Sequence, residues 1–109
     1  MGKYVIKTAS NGQWMFNLKA GNHQVILTSE MYTTKKACEN GIESVKKNSP
    51  DDSKYERKTA KNGSPYFNLK ASNGQVIGTS EMYSSTSAME NGIDSVKENG
   101  PNSPVEEIE

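Results

Sequence analysis

The sequence predicts an α+β domain. Two tandem copies of a strand-strand-strand-helix unit share one antiparallel sheet, both helices pack on one face, and a pseudo-two-fold axis relates the copies. Three observations predict it. Residues 3–50 recur without a gap as residues 54–101, with 31 of 48 paired positions identical, which marks a true internal duplication. Each copy shows a period of two in its first half and a helical period in its second. Half of 109 residues is also too short to bury a stable core alone, so the copies must pool their apolar faces.

The elements follow in order. Lys3 to Lys7 has high β propensity, and Asn11-Gly12 suits a tight hairpin turn. Trp14, Phe16, Leu18 and Ala20 alternate with Asn17 and Lys19, the mark of a strand covered on one side. Gly21-Asn22-His23 is a second turn, and Gln24 to Thr28 a third strand. Thr33 or Thr34 then caps a helix that runs to Asn48 and stops at Pro50. Cys38, Gly41, Ile42 and Val45 form its apolar stripe. A glycine inside a helix costs about 1 kcal/mol against alanine. Its recurrence as Gly92 predicts a close approach of helix to sheet.

The second copy repeats this order. Strands are predicted at Tyr55 to Thr59, Tyr66 to Ala71 and Gln75 to Thr79, with turns at Asn62-Gly63 and Asn73-Gly74. Ser84 or Ser85 caps a helix to Asn99, with Met89, Gly92, Ile93 and Val96 as its stripe. Val105 to Ile108 reads as a short closing edge strand. The chain is thus one domain over 1–109, made of repeat 1 (3–50), repeat 2 (54–101) and a C-terminal edge segment (102–109). With only two copies it forms a closed pair rather than a solenoid.

Composition narrows the function classes. Formal net charge is zero, which argues against a dedicated nucleic-acid or membrane-surface binder. Charge is unevenly placed: residues 1–50 carry seven lysines against three acids, residues 51–109 six basic residues against ten acids. Cys38 is the sole cysteine, so no intrachain disulfide exists, and no apolar run is long enough to span a bilayer. A reducing cytoplasm is the expected location.

The blocks Asn-Gly-x-x-x-Phe-Asn-Leu-Lys-Ala, Val-Ile-x-Thr-Ser-Glu-Met-Tyr and Glu-Asn-Gly-Ile-x-Ser-Val-Lys occur in both copies. They resemble the YegP-like family of small bacterial and archaeal proteins, a domain of unknown function, over nearly the whole chain. The resemblance implies tandem β(3)-α-β units merged into one sheet with exchanged C-terminal strands. The strand at Tyr55 would then serve both copies, with the segment from Val105 as its counterpart. The family brings no established activity, cofactor or catalytic residue.

Candidate sites are few. Ser29, Glu30 and Tyr32, repeated as Ser80, Glu81 and Tyr83, place a hydroxyl, a carboxylate and a phenol before each helix N-terminus. The structural alternative is that they cap and pack the corner. Asn17, Lys19, Asn68 and Lys70 would form a small polar patch on the exposed sheet face, open to a strand, a partner surface or single-stranded nucleic acid. His23 reads as a solvated turn residue, Cys38 as a buried thiol, and Trp14, matched by Pro65, as packing. No catalytic residue, metal site or cofactor is predicted. The expected function is a non-enzymatic interaction module, monomeric or homodimeric, with an unknown protein partner. The alternatives are a small-ligand binder or enzyme using both Ser-Glu-Met-Tyr corners at the axis, and a weak single-stranded nucleic-acid binder.

Overall fold

The computed structural model describes residues 2–107. The elements are β1 (Lys3–Thr8), β2 (Trp14–Lys19), β3 (Val25–Ser29), α1 (Lys35–Asn48), β4 (Tyr55–Thr59), β5 (Pro65–Lys70), β6 (Val76–Thr79), α2 (Thr86–Asn99) and β7 (Val105–Glu107); a short 3-10 turn, Asp52–Lys54, precedes β4. Ile108, expected in the last strand, lies outside the described residues.

The four hairpins close in one way. The asparagine side chains of Asn11, Asn22, Asn62 and Asn73 each accept a hydrogen bond from the backbone N–H two residues on, at 3.0–3.1 Å. The next turn position needs left-handed backbone, and Gly12, Gly63 and Gly74 supply it. The fourth turn has His23 at φ 69° instead.

These hairpins build one seven-stranded sheet in the order β4-β5-β6-β3-β2-β1-β7. The copies join where β3 meets β6, with Thr28 opposite Thr79 and Ser29 opposite Gly78. The expectation of a wholly antiparallel sheet is corrected at one edge. β7 lies parallel to β1, with Tyr4 opposite Val105. A helix and a short link separate β7 from the preceding strand, so the chain enters this edge in the direction of β1. The expectation that the segment from Val105 is the counterpart of the strand at Tyr55 is also corrected. β4 pairs antiparallel with β5 as β1 does with β2, Tyr55 opposite Leu69 as Tyr4 is opposite Leu18, so β4 matches β1 and β7 is an added strand outside β1.

The helices are capped as their sequences require. Thr34 Oγ1 accepts from Ala37 N at 3.0 Å and Ser85 Oγ from Ala88 N at 3.1 Å. Both apolar stripes face the sheet, and one continuous core contains Phe16, Leu18, Ile42 and Val45 from the first copy with Phe67, Leu69, Ile93 and Val96 from the second. Two tyrosines lace the copies together. Tyr4 Oη donates to the carbonyl of Gly100 at the end of α2 (2.6 Å), and Tyr55 Oη to the carbonyl of Ser49 at the end of α1 (2.8 Å).

The pair is not fully symmetric. Leu27 is buried beside the junction, and its equivalent on β6 is Gly78. A Cβ on Gly78 would lie 2.9 Å from Leu27 Cγ and 2.9 Å from Thr28 O. There is room for one leucine, not two.

Candidate functional site

Each Ser-Glu-Met-Tyr corner begins where a central strand leaves the sheet. Ser29 Oγ accepts from Phe16 N (2.9 Å) and donates to Glu30 O (2.7 Å); Ser80 Oγ does the same with Phe67 N (3.0 Å) and Glu81 O (2.8 Å). Both serines are buried. Their hydroxyls hold the corner and are not presented to a ligand.

The tyrosines go the other way. Tyr32 is anchored through its backbone to Trp14, donating N–H to O at 2.7 Å and accepting at 2.8 Å. Pro65 replaces Trp14 in the second copy and has no N–H to give, so Tyr83 keeps one of these bonds, to Pro65 O at 2.9 Å. Each ring stacks on a core phenylalanine: Tyr32 on Phe16 at 6.4 Å and 10°, Tyr83 on Phe67 at 6.3 Å and 9°. Each ring tip lies over a helical glycine, where a side chain on Gly41 or Gly92 would strike it. The close approach predicted for these glycines is thus made by a tyrosine rather than by the sheet backbone. Burial raises the pKa of both phenols above the ordinary value, making them weaker acids. Neither hydroxyl has a hydrogen-bond partner among the described residues.

The free side of each tyrosine opens on a cleft. The first, about 380 Å³, is lined by Glu30 and Tyr32, by Ala37, Asn40, Gly41 and Ser44 of α1, and by Ala71, Asn73, Gln75, Val76 and Ile77 from the other copy's β5-β6 hairpin. The second, about 430 Å³, repeats this with Glu81 and Tyr83, with Ala88, Asn91, Gly92 and Ser95 of α2, and with Ala20, Asn22, Gln24 and Ile26 of the first copy. Each cleft takes its corner and helix from one copy and its hairpin from the other. The two corners do not converge at the axis; they border two similar clefts, one at each repeat junction.

The sheet face opposite the helices carries one row across all seven strands, polar except at Val5: Glu106, Val5, Asn17, Thr28, Thr79, Asn68 and Glu56. Much of it is satisfied internally. Asn17 Nδ2 donates to Thr28 Oγ1 (3.0 Å), Thr79 Oγ1 to Asn68 Oδ1 (2.8 Å) and Asn68 Nδ2 to Glu56 Oε1 (3.2 Å). Asn17, expected to be exposed, is 4% exposed. It stands in mid-sheet between Val5 and Thr28, which shield it. Lys19, Asn68 and Lys70 are half-buried, and Lys70 pairs with Glu56 at 3.2 Å.

His23 is an exposed turn residue, and Cys38 is fully buried, its thiol pushed up to about 11 by burial. Among the described residues no group of three histidine, cysteine, aspartate or glutamate side chains could hold a metal ion, and no helix is long and apolar enough to cross a membrane. The cleft residues that sequence reasoning passed over are Asn40, Ser44, Asn73 and Gln75 with their twins Asn91, Ser95, Asn22 and Gln24. One signal marked them: each is identical in both copies although polar and outside the apolar stripes.

The chain matches a family model described as "Domain of unknown function (DUF1508)" twice, over residues 9–56 and 60–107. Each match runs from just after a copy's first strand into the strand after its helix. A UPF0339 protein of Bordetella pertussis is 58% identical over 107 residues, spanning 98% of this chain and 96% of the relative. The UPF0339 protein YegP of Escherichia coli K12 is 51% identical over 106 residues, spanning 97% and 96%. The solution NMR structure of a UPF0339 protein from Shewanella oneidensis superposes with a TM-score of 0.92 at 57% identity, covering 97% of this chain and 90% of that one. That of yegP from E. coli, described as a protein of unknown function, gives 0.93 at 51%, covering 97% and 91%. Repeat, fold and relatives agree: the chain belongs to the DUF1508 family, the YegP-like UPF0339 proteins.

Proposed function

We propose that this is a non-enzymatic binding protein whose ligand sites are the two clefts at the repeat junctions. One observation carries the reading. The same polar set, a carboxylate, a phenol, two asparagines, a glutamine and a serine, is assembled twice from opposite copies. A binding site wants a shaped depression with convergent polar groups whose hydrogen-bonding capacity is unspent. The clefts meet this description through the unpartnered tyrosine hydroxyls. The open sheet face meets it less well, because its central amides and hydroxyls bond to one another.

Each cleft is complete within one chain, which supports a monomer as the working unit. A lone buried thiol suits a reducing compartment, which supports a cytoplasmic location. The test is a fragment screen on isotopically labelled protein, read by amide chemical shifts. Hits should move the amides around Tyr32 and Gln75 together with those around Tyr83 and Gln24. Hits confined to the open sheet face would overturn the reading.

A further inference from the structure

We infer that each cleft takes a short uncharged saccharide, so that one chain binds two. The inference rests on the cleft reading above and names its ligand class. The first argument is charge. Among the described residues neither cleft is lined by lysine, arginine or histidine, and each carries one carboxylate, Glu30 or Glu81. A phosphorylated or carboxylated ligand would meet a like charge with no cation to offset it. Nucleotides and organic acids are therefore disfavoured.

The second argument is hydrogen-bond type. The carboxylate only accepts; the Asn40 amide both donates and accepts; Gln75, whose Oε1 accepts from Asn73 Nδ2 at 3.5 Å, keeps its NH2 group to donate; the Tyr32 hydroxyl does either. A sugar hydroxyl also does either, and vicinal hydroxyls present the paired contacts that a carboxylate or amide can grip with two atoms. A peptide offers one fixed donor and one fixed acceptor per residue and matches this mixed set less well. The third argument is the floor. Ala37, Gly41 and Ala71 are small and Val76 is apolar, giving the C–H face of a sugar ring a surface to lie on beside the tyrosine edge.

The experiment titrates full-length labelled protein with cellobiose, N,N′-diacetylchitobiose and maltotriose, and in parallel with trialanine and glucose 6-phosphate. At least one neutral saccharide should shift both cleft amide sets in step, with a stoichiometry of two. Asn40 and Asn91 are exposed helix residues, so their alanine variants keep the fold. Asn40→Ala should weaken the first cleft about tenfold, the effect of one lost hydrogen bond, and leave the second unchanged. If trialanine or glucose 6-phosphate shifts the cleft amides and no saccharide does, the saccharide class is overturned and the cleft reading stands. If no saccharide shifts them at tens of millimolar, the class is again overturned, and the fragment screen alone decides the clefts.

Discussion

Replacing Gly41 by alanine sets two known effects against each other, and the sign of the result decides between them. In an ordinary helix interior the change stabilises by about 1 kcal/mol. Here the new methyl group would strike the Tyr32 hydroxyl, lie 2.8 Å from Tyr32 Cζ and 3.1 Å from Phe16 Cε2. Phe16 is fully buried and cannot yield. Tyr32 must swing toward the cleft and give up its stack on Phe16, an arrangement worth about 1 kcal/mol. Overpacking a well-filled site costs about 1–3 kcal/mol, so after the helix gain a net loss of about 1 kcal/mol remains. For a chain of this size that lowers the melting temperature by about 4 °C. Thermal unfolding followed by circular dichroism measures it, with Gly92→Ala as an internal replicate against Tyr83. In a Tyr32→Phe background, where the nearest atom is gone, the same change should cost less. A rise in melting temperature for Gly41→Ala would refute the argument and return Gly41 to a simple helix defect.

Three further outcomes are expected. Tyr55→Phe removes a buried hydrogen bond to Ser49 O and should destabilise by about 1–3 kcal/mol in urea unfolding, as should Tyr4→Phe through Gly100 O; no change would mean that the lacing between copies is ornamental. His23→Gly should raise stability by about 0.5–1 kcal/mol, because His23 occupies left-handed backbone that glycine adopts freely; a lower denaturation midpoint would contradict this. Alkali should destabilise the fold from about pH 9 upward. Burial raises the Cys38 thiol to about 11 and holds Tyr4 and Tyr55 well above the ordinary phenol value. The unfolded chain then loses these protons first, so the stability they contribute is intact below the unfolded values near 9 and 10. It falls by about 1.4 kcal/mol per pH unit for each such group as pH climbs toward the folded values. A stability profile flat from neutrality to strong alkali would exclude it.

Much of this architecture was legible from residue order. The duplication, the Asn-Gly turns, the alternation through Phe16 and Leu18 and the caps at Thr34 and Ser85 each encode a local preference that the fold obeys. The direction of β7 was not legible, because strand polarity depends on how a helix and a short link return the chain, and no alternation pattern carries that. Asn17 was placed on the correct face but not at the correct depth: burial there comes from neighbours on β1 and β3, which are distant in sequence. The clefts were half legible. Glu30 and Tyr32 stood out as a repeated block, but Asn40 and Gln75 belong to different copies and meet only when the repeats pack together. Gly41 revealed its need for space without naming the tyrosine, nine positions earlier, that fills it.

Leu27 and Gly78 carry a consequence for how this chain can be rearranged. A synthetic polypeptide made of the first half twice would push two leucines into space for one, and the second half twice would leave a hole where Leu27 now sits. The halves have become complementary parts, like the two sides of a zip, and neither can stand in for its sibling. Any ancestor that assembled from two identical single-repeat chains must have filled that spot differently, and this molecule has no direct road back to it.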